Sequence, residues 1–170
     1  MFKKKASRPL QQLFSESFQY LITNTDVFPD PEEVNADGAI TAEALDHLVF
    51  DELVLAFIVM RLEIGARAGF KTNLVHVHEE FFAGLIDALD KFKDALPAQS
   101  FLEAVDSYEE VLNFEADITD QLVDCYNVFA TRMLGESASG YSPLLTLVKF
   151  VRLQVVQPLI KSAESQSKFE

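Results

Sequence analysis

Leu53-Val54-Leu55-Ala56-Phe57-Ile58-Val59-Met60 is an uninterrupted run of eight apolar residues. At about 100° per residue its side chains go all the way round a helix. Such a segment is either central in a bundle or covered by a second subunit. The rival reading is a membrane span, which needs about 20 apolar residues. Here the run is closed off by Asp51 and Glu52 before it and by Arg61 and Glu63 after it. It therefore reads as the middle of a soluble core helix, capped by Thr41 and ending near Ala68, before Gly69.

Working outward, residues 9–23 place apolar side chains at 10, 13, 14, 18, 21 and 22, the spacing of an amphipathic helix. Residues 24–40 are an acidic loop with one short turn at Pro31–Val34. Asn73 is placed to cap a helix reaching about Lys93. Ser100 is placed to cap one through residue 116, and Thr119 to start another that ends at Gly135, with the join around 114–119 left open. Residues 135–142 form a loop. Ser142-Pro143 then opens a last helix that is apolar nearly all round, which Pro158 kinks or ends. The expected fold is an all-α single domain over 1–170: a bundle of five or six helices with two largely apolar central ones, 44–66 and 144–157. Residues 1–8 are read as a basic flexible terminus and 165–170 as a frayed tail.

Composition narrows the function classes. Fifteen Phe and no Trp supply the bulky core, and six Gly and six Pro are few for a β-sandwich or barrel. Cys125 is the only cysteine, so no intrachain disulfide or CxxC motif exists. That fits a cytoplasmic protein, and the basic start MFKKKASRPLQQLF lacks the apolar stretch of a secretory signal. The net charge is −13. Between residues 9 and 142 there are six basic and 25 acidic residues, while 143–170 holds four basic and two acidic. That layout argues against nucleic acid, whose phosphates need clustered Lys and Arg; the acidity either keeps a Phe-rich chain soluble or attracts a basic protein partner. Phe2 with Lys3–Lys5 is a weak candidate for a membrane-surface anchor, opposed by the acidic body.

The chemistry-bearing stretch is Leu74-Val75-His76-Val77-His78-Glu79-Glu80. In a helix His76 and His78 lie about 200° apart and cannot share one ion. An apolar arc of Leu74, Phe81, Phe82, Leu85, Leu89 and Phe92 puts His78 inward and His76 outward, with Glu80 one turn on as a partner for His76. His47 and Asp51 share a face at i, i+4. A metal, cofactor or small-ligand site inside the bundle would therefore draw on His47, Asp51 and His78. Bundle metal sites use Glu-x-x-His pairs, and neither that spacing nor HExxH, GxSxG, a Walker A loop or GxGxxG occurs here. No cofactor and no catalytic residue is expected. Cys125 reads as a packing residue. The leading expectation is a non-enzymatic interaction or regulatory module, homodimeric, with no transmembrane segment. Phe28 and Val34 in the acidic loop are its candidate contacts, and the interior ligand site is the alternative.

Overall fold

A computed structural model describes residues 7–35, 37–68, 73–135 and 142–170. The chain is all-α. Six long helical stretches form the body: α1 (Leu10–Thr23), α4 (Leu48–Ala68), α5 (Leu74–Lys91), α6 (Ala98–Glu109), α7 (Ile118–Leu134), and a run made of α8 (Ser142–Phe150), a π turn (Val151–Val156) and α9 (Gln157–Gln166). Two short helices, α2 (Pro31–Val34) and α3 (Ala42–Asp46), complete the set among the described residues, beside a 3-10 turn at Thr25–Val27. Expected loop segments 136–141 and the helix stop at Gly69 lie outside the described residues.

α4 is the centre. Every residue from Asp51 to Glu63 is buried, as the all-round apolar run requires. Asp51 meets Arg132 near the start of α4, and Leu62 lies beside Gln121 near its end, so α7 runs antiparallel to it. Glu63 meets Arg152 and Arg67 meets Glu164, so the α8–α9 run lies parallel to it. Phe18 of α1 stacks on Phe57 at 3.6 Å, and Phe101 of α6 closes on Phe57 at 5.3 Å.

The sequence places the helix boundaries partly right. Thr41 caps α3 through the Ala44 N–H, and Asn73 caps α5 through the Val75 N–H. The helix from 41 to 68 is in fact two, because His47 adopts φ −110°, ψ 14° between α3 and α4. α6 starts at Ala98 after Pro97 rather than after Ser100, and ends at Glu109. Asp117, not Thr119, caps α7.

Two corrections concern the last helix and the ends of the chain. Pro158 does not end the last helix. A proline ring has no N–H to give and crowds the carbonyl four residues back. The preceding turn widens to a π turn, in which the Gln157 N–H reaches the Arg152 carbonyl, and the helix continues. The expected frayed tail is tied down. Lys168–Phe169 pairs in parallel with Ser7–Arg8, the Leu10 N–H donates to the Glu170 carbonyl at 2.9 Å, and the Glu170 N–H donates to the Arg8 carbonyl at 3.0 Å.

On α5 the expected arc is buried at Phe81, Leu85 and Leu89, but the two histidines lie otherwise than expected. The buried face is Val77, Phe81, Gly84, Leu85, Ala88 and Leu89, with His78 exposed and His76 half-buried. Gly84 sets this phase. A Cβ there would lie 2.6 Å from the Phe14 Cβ and 2.8 Å from the Gln11 carbonyl oxygen. Only glycine lets α1 lie so close, and that contact shifts the buried face toward Val77 and Ala88 and away from His78. Glu80, expected to pair with His76, instead accepts the Gln11 N–H at 2.7 Å. It thus supplies the start of α1 with the cap that Pro9 cannot.

Candidate functional site

Four charged side chains are buried along α4, and three of them act as struts. Asp51, with no exposed surface, accepts from the Arg132 Nε at 2.6 Å and sits 2.5 Å from the His47 Nδ1. Arg61 pairs with Glu109, donates to the His78 Nδ1 at 2.8 Å, and lies 3.7 Å over the Phe114 ring, with Phe81 5.2 Å away. Burial pulls the Arg61 guanidinium down to about 10, so it stays charged at neutral pH. Glu63 accepts from the Arg152 Nε at 2.5 Å and from the Gln157 Nε2 at 3.3 Å. Each strut fixes a neighbouring element to α4: α3 and α7 through Asp51, α5 and α6 through Arg61, the π turn and α9 through Glu63. A buried charge is tolerated only when paired in this way.

Glu52 is the exception. It has no exposed surface, and its carboxyl has no hydrogen-bond partner among the described residues. Burial, helped by the adjacent Asp51, pushes it up to about 8, so at neutral pH it is mostly protonated. Burial also pushes up the Cys125 thiol and the hydroxyl of Tyr108, which is likewise buried without a partner. Cys125 is a packing residue.

The residues proposed for an interior ligand site do not converge. His47 and Asp51 meet at the start of α4. His78 binds Arg61, ten residues or about 15 Å further along the same helix, and stands exposed on α5. With the His78 Nδ1 accepting from Arg61, burial and then the guanidinium both hold the imidazole below its usual range, opposed by Glu79. Its ring packs on Phe82 at 4.9 Å. Among the described residues no group of three His, Cys, Asp or Glu side chains is placed to hold a metal ion. Comparison with protein-family models, with curated proteins and with solved structures finds no match for this chain.

The open geometry lies elsewhere, along the α8–π–α9 run. Three grooves formed by described residues flank it. One, of about 620 Å³, runs between α8 and residues 26–34. Another, of about 450 Å³, separates α9 from α1. The third, of about 220 Å³, lies between α7 and α8. Phe28 and Val34 are buried, at 7% and 6% exposure, and hold the acidic segment onto α8. They form the wall of the first groove rather than free contact points. The sequence signal that reaches this region is the all-round apolar pattern of residues 144–160. Nothing in the sequence marked the Arg61 box or the orphan Glu52, because both depend on which helices meet.

Proposed function

We propose that this chain is a non-enzymatic protein–protein interaction module that takes up a basic segment with an apolar face in the groove between residues 26–34 and α8. One observation carries the reading. The groove is walled by Phe28, Pro29, Val34, Pro143, Leu147 and Phe150, while among the described residues the charged ones along it are Asp26 and Glu33. An apolar trough with a carboxylate rim matches an amphipathic basic helix, and the surrounding acidic body steers such a partner in. Asp51, Arg61 and Glu63 serve as struts, and His47 and His78 are held by two of them, which removes the support that His47, Asp51 and His78 lent to a ligand site.

The run Pro143–Gln166 is long and apolar enough to cross a membrane by length and composition. We read it as a packed helix, since Leu144, Val151, Val156 and Ile160 are buried against the bundle and Arg152 is committed to Glu63.

Fluorescence anisotropy with a labelled Leu/Lys amphipathic peptide, and with its Leu/Glu counterpart as control, tests the proposal. The basic peptide binds, Phe150→Ser weakens binding about tenfold or more, and Asp26→Lys with Glu33→Lys lowers its salt dependence. Binding that ignores Phe150→Ser is general attraction to an acidic surface and overturns the assignment.

A further inference from the structure

We infer that the third groove, between α7 and α8, is the interface of a two-fold homodimer of this chain. This goes beyond the groove assigned above and uses different residues.

The first observation is where exposed apolar side chains collect. Among the described residues, eight large hydrophobics are exposed, and five of them stand apart: Tyr20, Val49, Val75, Ile86 and Val111. The other three meet at one place. Val123 of α7 is 52% exposed, Leu145 of α8 is 39% exposed and Leu153 in the π turn is 50% exposed, and all three line the same groove, with Leu122 and Val148 completing its walls. Scattered apolar residues are normal on a soluble surface, whereas a contiguous patch marks a contact.

The second observation is charge. Two copies of a chain with net charge −13 repel each other. Contact is least opposed where the surface is least negative, and residues 143–170 carry four basic and two acidic residues. The groove itself is two-sided. On its α8 side stands Lys149, exposed, while Arg152 is turned inward to Glu63. On its α7 side the helix carries Asp120, exposed next to the groove residue Thr119, and Asp124, half-buried one turn on.

A two-fold axis through the groove lays the α8 edge of one copy on the α7 edge of the other. Apolar residues then face apolar residues, and Lys149 of each copy meets the aspartates of the second copy. An isologous contact needs this self-complementarity. A lipid surface fits less well, because the aspartates of α7 border the apolar stripe and would be pressed against headgroups.

Sedimentation equilibrium of the full chain at micromolar concentration tests the inference, with circular dichroism of each variant confirming its fold. The wild type sediments at twice its 19.1 kDa chain mass. Leu153→Ser sediments as a monomer. Lys149→Glu weakens the dimer about tenfold or more by setting like charges against each other, and adding Asp120→Lys restores it. A wild-type monomer, or a dimer indifferent to Leu153→Ser, overturns the inference. So does co-sedimentation of the wild type with vesicles of neutral and anionic phospholipid that is lost in Leu153→Ser. Loss on Lys149→Glu without rescue by Asp120→Lys overturns the charge registration. Because Phe150 and the 26–34 segment are untouched, peptide binding by Leu153→Ser separates this result from the first groove's.

Discussion

α4 and residues 144–160 both carry apolar residues around the whole circumference, yet α4 is covered on every side from Asp51 to Ile64 while the later run leaves Leu145 and Leu153 in solvent. The difference lies in neighbours. α4 touches α1, α5, α6, α7, the π turn and α9, enough to enclose a helix. The α8–α9 run has α4 behind it and grooves beside it. The more hidden helix also carries the more charge: Asp51, Glu52, Arg61 and Glu63 are all buried on α4. In a helix packed from all sides a charge cannot reach water. It must be used to bind a neighbour, or give up its ionisation as Glu52 does. Among the described residues nothing covers the apolar surface around Leu145 and Leu153, which is why we assign that face to association.

Breaking α4 from inside should have the largest effect. Arg61→Ala leaves Glu109 unpaired and empties the space over Phe114, and equilibrium denaturation should show a loss of about 3–5 kcal/mol. A loss below about 1 kcal/mol would mean that neither the ion pair with Glu109 nor the stacking on Phe114 holds these helices to α4.

Glu52 sharpens the comparison through pH. Its folded value near 8 lies above its ordinary 4.5. The folded chain therefore holds a proton that the unfolded chain releases, and stability falls as pH rises from about 4.5 to about 8. At about 1.4 kcal/mol per unit the ceiling is roughly 5 kcal/mol. A glutamine keeps its own desolvation cost, so Glu52→Gln should gain about 2 kcal/mol at pH 9 and almost nothing at pH 4. Equal denaturation midpoints for the two proteins at pH 9 would place Glu52 in contact with water.

The smallest effect belongs to the outer face. Leu153→Ser, measured below the concentration of association, should change monomer stability by less than about 0.5 kcal/mol. A loss of 2 kcal/mol or more would make Leu153 part of the core.

Much of this was readable in the chain. Apolar runs and capping residues gave the helical fold, α4 as its centre, the turn at Pro31–Val34 and the caps at Thr41 and Asn73. What stayed hidden depends on which surfaces meet. In the sequence, the bulky side chains of α5 point His78 inward, but the close approach of α1 is set by Gly84, which has no side chain to signal it. Glu80 is at once a surface carboxylate of α5 and the cap of α1, a role visible only once those helices lie together. The terminal pairing joins residues far apart in sequence through backbone groups alone, so no side-chain pattern announces it. Of the candidate site, the apolar excess at 144–160 was legible; the grooves beside it are a property of missing neighbours.

The contrast between the two regions can be read in a single molecule by thiol labelling. Cys125 is the only native cysteine and is fully buried, so it reports the interior around α4. Leu153→Cys adds one thiol on the outer face of the π turn. Alkylation rates of both thiols, measured from nanomolar to high micromolar protein, should show Cys125 inert throughout. The thiol at position 153 should react quickly in dilute solution and become protected as the dimer forms. A rate at position 153 that is fast and independent of concentration would contradict the account.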